Sequence, residues 1–182
     1  MTEPRLSLGL VDGPTEATDR DGPGRGAETG FVVRTDGAAR GNPGPASCGA
    51  VLLRLDRADA RHPTAQPDAS ISDYLGIRTN NVAEYTGVLR AVRLAAELGA
   101  RRVELLLDSK LIVEQLSGRW RVKDAKLQPL WADTLRTLRA MAGGWSARHV
   151  PRAQNSLADA LANQAIDRVM ADGPESVVIR PG

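Results

Sequence analysis

The stretch FVVRTDGAARGNPG, residues 31–44, is the first part of the chain with the pattern of an ordered element. Its apolar and β-branched start predicts a β-strand over residues 31–36 that ends at Gly37. An aspartate, Asp36, therefore stands at the carboxyl end of a strand, just before a glycine-rich turn. This placement makes the stretch the starting point for both the fold and the chemistry.

The segment before this strand has a different composition. Residues 1–29 are rich in glycine, proline and charge and carry few large apolar side chains. Such a segment buries too little surface to offset the entropy lost on ordering, so we predict a disordered leader. In a chain of 182 residues, this leaves one compact domain over residues 30–171 and a flexible tail over residues 172–182.

The spacing of apolar residues after the first strand predicts both further strands and helices. A period of two predicts further strands over residues 48–55 and 70–77, joined by a loop and paired antiparallel. A period of 3.6 then predicts a helix over residues 81–98, capped by Asn80 or Asn81. The remaining elements are a buried strand over 103–107, a short helix from Ser109 to 116, a helix over 127–141, a strand over 145–150 and a last helix from about Asn155 to 169.

This order of elements predicts an α/β fold. Short connections between the first three strands imply antiparallel pairing, and the later strand–helix–strand crossovers imply parallel pairing. The expected assembly is a mixed five-stranded sheet, three antiparallel strands followed by two parallel ones, with helices on both faces.

Composition excludes several classes of protein. One cysteine, Cys48, allows no intramolecular disulfide, and because His62 and His149 are the only histidines, a Cys/His zinc cage is not expected.

No run approaches the roughly 18 apolar residues of a membrane span, and no signal peptide is visible. We expect a monomer in the cytoplasm without a membrane partner. The net charge of +2 neither announces nor excludes binding to nucleic acid.

Four acidic residues occupy positions that can converge. Asp36 and Asp108 each end a predicted strand, and Glu84 and Asp159 lie in first helical turns. If the two strands are parallel neighbours, both aspartates project from the same sheet edge. Singly, each acid also fits a turn, a strand-end cap or a response to the helix dipole. Together they would repel one another unless a divalent cation such as Mg²⁺ were bound.

Four segments of the chain resemble, in order and spacing, the motifs of type 1 ribonuclease H: TDGAARGNPGPA at 35–46, TNNVAE at 79–84, LDS at 107–109 and NSLADALA at 155–162. The resemblance covers about residues 31–170. It implies the ribonuclease H-like fold and cleavage of the RNA strand of RNA–DNA hybrids, leaving 5′-phosphate and 3′-hydroxyl ends. It also implies that Asp36, Glu84, Asp108 and Asp159 bind two Mg²⁺ ions, for which Mn²⁺ would substitute.

The same resemblance implies a set of substrate contacts. Asn42 and Thr79 are similar to the family's pocket for a DNA phosphate, and Asn80 and Asn81 to its readers of the hybrid minor groove, where the 2′-hydroxyl distinguishes RNA from DNA. Each has a structural alternative, since residues 41–44 could form only a tight turn and both asparagines could be only helix caps. The glycines and serine beside the motifs complete the predicted contacts: Gly37, Gly41 and Ser109.

The segment GRWRVKDAK, residues 118–126, stands where many bacterial members carry a long basic protrusion. The chain therefore resembles a shorter branch of the family. We predict that the segment grips the hybrid through Arg119, Trp120, Arg121 and Lys123, with a plain solvated loop as the alternative.

The family often has a mobile histidine in the loop before the last acid. Counting back from Asp159 without gaps places His149 there, whereas aligning on the strand that Pro151 closes places Arg152 there and His149 in the strand. We favour Arg152 as the assisting catalytic group.

Three rival functions fit the sequence less well. A silent hybrid-binding module need not keep four acids. A proofreading exonuclease requires an Asp-x-Glu first motif, and Ala38 stands two residues after Asp36. An integrase relative would leave the segment GNPG unexplained.

Overall fold

The computed structural model describes residues 29–182, so the predicted leader lies almost entirely outside the described residues. Ten helices and strands, with one 3₁₀ turn, follow one another along the described chain: β1 Gly30–Ala39, β2 Gly44–Arg54, β3 Ala69–Arg78, α1 Asn80–Glu97, β4 Arg102–Leu107, α2 Lys110–Leu116, α3 Gln128–Arg139, β5 Trp145–His149, the 3₁₀ turn Arg152–Asn155, α4 Ser156–Met170 and β6 Ser176–Ile179.

The strands form one mixed sheet in the order β5-β4-β1-β2-β3-β6. β1, β2 and β3 pair antiparallel, and β4 pairs parallel to both β1 and β5. The predicted fold class and strand directions are confirmed. The strand count is six instead of five.

The sixth strand corrects the prediction of a flexible tail over residues 172–182. β6 pairs antiparallel with β3, and the Ser176 hydroxyl donates a hydrogen bond to Asp73. The guanidinium of Arg168, on α4, donates to the carbonyl oxygens of Ser72 and Pro174 and so holds the start of the strand. The run Val177–Ile179 is β-branched, but it is too short for a hydrophobic period to be recognised.

Helices cover both faces of the sheet, as predicted. On one face Phe31 and Val33 of β1 pack in a large core with α1, α2 and α3. On the other face Val32 packs in a smaller core with Val51, Leu53 and Leu106, against which α4 places Leu157 and Leu161. None of the helices within residues 29–182 is long and apolar enough to cross a membrane.

Two details of helix placement position the acidic residues. The cap of α1 is Thr79, whose hydroxyl accepts from the Val82 N–H at 3.4 Å, so the prediction of Asn80 or Asn81 as the cap was wrong by one or two residues. Threonine serves nearly as well as asparagine at this position. α4 lies directly on β2 at Gly49, where a Cβ atom would come within 2.1 Å of the Ala158 carbonyl oxygen.

Candidate active site

The two strand-end aspartates meet at one edge of the sheet. β1 and β4 are parallel neighbours, and Val33 pairs with Leu105. Carrying that register forward by three residues sets Asp36 level with Asp108, the first residue after β4. The expectation that both carboxylates leave the same carboxyl edge is confirmed.

The other two acids reach this edge from helices. Asp159 is in the first turn of α4, and its carboxyl group is close enough to raise the pKa of Asp36. Glu84 lies on α1, whose backbone touches β1 at Gly37. A Cβ atom on Gly37 would lie 2.3 Å from the Glu84 nitrogen, so only glycine permits this close approach. Gly37, predicted as a substrate contact, here sets the spacing between Asp36 and Glu84.

The crowding of acids changes their ionisation. The pKa of Asp36 is raised to about 8, first by burial and then by the carboxylates of Asp108 and Asp159, although the Gly37 N–H donates to it at 2.8 Å. The pKa of Glu84 is also raised, mainly by burial, while hydrogen bonds from Ser109 and Asn80 oppose the shift. The site therefore disfavours its own negative charge, and a bound cation would relieve it.

The donor set suits a hard divalent cation. All four acids offer oxygen ligands, which Mg²⁺ prefers, and Mg²⁺ takes one or two carboxylates while keeping several waters. Within residues 29–182 no three His, Cys, Asp or Glu side chains are already assembled as a metal cage.

Asn155 is a site residue that the sequence reasoning named only as a helix start. Its side chain is buried and makes no cap bond to α4. Instead its Nδ2 donates to the Thr35 carbonyl at 2.7 Å and to Asp108 Oδ1 at 3.0 Å. Asn155 thus joins β1 to the Asp108 carboxylate and fixes its orientation. The available signal was its place in the fourth motif, four residues before Asp159.

The predicted substrate contacts gather at the start of α1. The Asn42 side-chain oxygen accepts from the Asn80 N–H at 3.1 Å, which joins the β1–β2 turn, including Gly41, to the helix. Asn80 Nδ2 donates to Glu84 Oε1 at 2.8 Å. Asn81 is exposed in the first turn of α1, beside the capping Thr79.

Ser109 has two partners in the structure. Its hydroxyl accepts from the Ile112 N–H at 3.5 Å, which confirms the predicted cap of α2. It also lies close enough to Glu84 to oppose the rise in the pKa of that carboxyl group. Ser109 is therefore placed beside two of the four acids.

The predicted basic grip is a solvent-exposed loop between α2 and α3. Trp120 is 47% exposed, and Arg121 and Lys123 have no carboxylate partner in the described chain. Arg119 differs, since its guanidinium pairs with Glu114. Three of the four predicted grip residues are therefore available to a ligand.

The structure places both candidates for the assisting group near the acids. His149 is the last residue of β5, and its Nε2 lies 3.2 Å from the Asp108 carbonyl oxygen. Arg152 is the first residue of the 3₁₀ turn, and its Nη2 lies 3.3 Å from Asp159 Oδ1. The predicted placement, with His149 inside the strand and Arg152 after it, is confirmed. The assisting role of Arg152 stays a prediction.

Comparison with known proteins assigns the chain to a protein family. The family model described as "Reverse transcriptase-like" matches residues 34–165. The chain is 40% identical over 156 residues to the ribonuclease HI of Halobacterium salinarum, covering 85% of this chain and 72% of that protein. The chain belongs to the type 1 ribonuclease H family.

Solved structures of ribonuclease H proteins superpose on the chain. The N-terminal ribonuclease H domain of Rv2228c from Mycobacterium tuberculosis does so with a TM-score of 0.70 and 39% identity, covering 79% of this chain and 98% of that one. LC11-RNase H1, solved in complex with an RNA/DNA hybrid, does so with a TM-score of 0.64 and 34% identity, covering 77% of this chain and 99% of that one. The chain spans only 35% of the length of the full mycobacterial protein, which is described as bifunctional.

Proposed function

We propose that this ribonuclease H family member is an endonuclease that hydrolyses the RNA strand of RNA–DNA hybrids. The observation that carries the proposal is the convergence of Asp36, Glu84, Asp108 and Asp159 at one sheet edge. Two relatives support the substrate: one is named ribonuclease HI, and another was solved with an RNA/DNA hybrid.

The four acids would hold two Mg²⁺ ions, with Mn²⁺ as a substitute, and cleavage would leave 5′-phosphate and 3′-hydroxyl ends. When bound, such ions lower the pKa of an attacking water and stabilise the charge on the departing oxygen. The protein's own part is to keep the acids oriented. Asn155 holds Asp108, and Asn80 and Ser109 hold Glu84.

Arg152 is the candidate assisting group whose side chain contacts one of the four carboxylates. Its guanidinium contacts Asp159, and the acids Asp36 and Asp108 raise its pKa further. It remains charged at every relevant pH. We therefore propose that it stabilises negative charge on the scissile phosphate or the product, and that it transfers no proton.

Substrate selection would involve two surfaces. At the start of α1, Asn80 and Asn81 present amides suited to the 2′-hydroxyl, which donates and accepts hydrogen bonds, and Asn42 with Thr79 suits a DNA phosphate. The exposed basic loop would contact the backbone of the hybrid through Trp120, Arg121 and Lys123.

Since one chain supplies all four acids, we propose that the monomer is active, and we expect it to act in the cytoplasm.

An end-labelled cleavage assay tests the proposal. RNA–DNA hybrid, double-stranded RNA, single-stranded RNA and DNA duplex are each incubated with Mg²⁺, Mn²⁺ or excess chelator. We expect internal cuts in the RNA of the hybrid, with either metal and not with chelator, and RNA fragments that carry a 5′-phosphate. Activity that persists in chelator would remove the two-metal proposal, and equal cleavage of double-stranded RNA would remove the substrate assignment.

A further inference from the structure

Arg34 is a buried cation that the site described so far does not use. It lies on β1 two residues before Asp36, so the two side chains leave the same face of the strand. The residue is only 2% exposed. Burial, and secondarily the charge of Arg148, lower the pKa of its guanidinium.

The contacts of this guanidinium are directed at backbone, not at acids. Nη1 donates to the Gln154 carbonyl oxygen at 2.9 Å, and Nη2 donates to the Arg61 carbonyl oxygen at 2.7 Å. No carboxylate pairs with Arg34 anywhere in residues 29–182. One side chain therefore bridges two segments that are far apart in sequence.

Both segments matter to the site. Gln154 belongs to the 3₁₀ turn Arg152–Asn155, which carries Arg152 toward Asp159 and Asn155 toward Asp108. Arg61 lies in the β2–β3 loop and is anchored to β4 by its ion pair with Glu104 at 2.8 Å. Through Arg34, the turn is tied both to β1 and to an anchored loop.

Energetics argue against a merely stabilising role. Removing a charged group from water costs several kcal/mol, and hydrogen bonds to neutral carbonyls offset this cost only in part. An unbranched apolar side chain would fill the same space next to the smaller core at a lower cost. What the guanidinium adds is geometry, because its planar fork reaches two acceptors at fixed angles.

We propose that Arg34 is a positioning residue for hybrid cleavage: its two hydrogen bonds hold the 3₁₀ turn so that Arg152 and Asn155 stay at the acidic cluster. The inference rests on the proposed function. Arg34 itself touches neither substrate nor metal ligands in this arrangement, and it acts through the turn.

The test compares three variants of the full chain. Arg34→Met keeps the volume and removes both hydrogen bonds. Arg34→Lys keeps the charge but has a single nitrogen in place of the fork. Arg148→Met is the matched control, since it removes an exposed arginine of β5 whose charge acts on Arg34. For each we would measure kcat and KM on a hybrid at saturating Mg²⁺, the Tm, and backbone hydrogen exchange of residues 150–157 without metal.

For Arg34→Met we expect kcat to fall at least tenfold with KM changed less than threefold. Exchange should accelerate in residues 150–157 and remain unchanged in α1 and α3. Arg34→Lys should lie between wild type and Arg34→Met, and Arg148→Met should match wild type in kcat and in exchange.

Two results would overturn the proposal. Wild-type kcat and exchange in Arg34→Met would show that the turn holds itself. Exchange that accelerates across the whole chain, together with a loss of Tm, would assign Arg34 to stability alone. A wild-type chain that fails to cleave the hybrid would instead overturn the proposed function, and the exchange data would still decide whether Arg34 holds the turn.

Discussion

The acidic edge of the sheet and the basic loop between α2 and α3 serve the same proposed reaction with opposite physical designs. Asp36 and Asn155 are buried and hydrogen-bonded, and each is placed by a strand or a helix start. Trp120, Arg121 and Lys123 are exposed and extend from irregular backbone. Charges in the first region act at short range in a low dielectric, whereas charges in the second are screened by water and salt. Catalysis and hybrid binding should therefore respond very differently to mutation.

The largest effect should come from removing an acid. Asp36→Asn and Asp108→Asn should each reduce hybrid cleavage by several orders of magnitude, because each replaces a carboxylate that we propose binds Mg²⁺ with a neutral amide of the same shape. Circular dichroism and thermal melting should show that both variants remain folded. A variant that cuts at near the wild-type rate would show that its acid is not a ligand.

A smaller effect should separate Arg152 from His149. We expect Arg152→Ala to lower kcat at least tenfold and His149→Ala to affect mainly the Tm, because the histidine ring contacts the Asp108 backbone. The measurement is kcat against pH for both variants. If His149→Ala instead lowered kcat at unchanged Tm while Arg152→Ala did not, the gapless alignment would be right.

The basic loop should give graded effects. Replacing Arg121 and Lys123 with Gln should weaken hybrid binding several-fold and reduce the slope of log affinity against log salt by at most about 0.9 for each phosphate that is no longer neutralised. Arg119→Gln is the matched control: its guanidinium already pairs with Glu114, so its effect should be smaller. An unchanged salt slope in the double variant would show that this segment is exposed surface that does not bind the hybrid backbone.

The smallest effect should be a pH dependence of the metal-free protein. Because the pKa of Asp36 is raised on folding, its contribution to stability is full below the unfolded-state pKa near 4 and is lost as the pH rises toward about 8. The Tm of the wild type should therefore fall more than that of Asp36→Asn between pH 5 and pH 8. Mg²⁺ at pH 8 should restore the wild type more than the variant. If the Tm of both proteins changed equally between pH 5 and pH 8, ionisation of Asp36 would not destabilise the fold.

The sequence predicted the parts of the fold that rest on long periodic segments. The strand directions and the meeting of Asp36 with Asp108 at one edge followed from hydrophobic period and crossover rules. β6 was missed because four residues show no recognisable period. The cap of α1 was misplaced because Thr79 and two asparagines stand side by side and each can cap a helix.

Two buried residues whose contacts sequence reasoning missed, Asn155 and Arg34, bond to partners distant in the chain. Asn155 bonds Thr35 and Asp108, which lie 120 and 47 residues away, and Arg34 bonds Gln154 across 120 residues. An arginine in a predicted strand favours a solvent-facing side chain, whereas Arg34 is buried and bonded to both the 3₁₀ turn and the β2–β3 loop. Such contacts depend on tertiary structure, which local patterns do not contain.

β6 also has a consequence for the behaviour of the protein in solution. It pairs with residues 70–73 on the outer side of β3, where the N–H and C=O groups would otherwise face outward in a row. Such a row is a template for pairing with another molecule. Cutting the chain after residue 171 would uncover it, and we expect the shortened protein to self-associate at concentrations where the longer one stays dispersed. Light scattering of the two forms would reveal the difference.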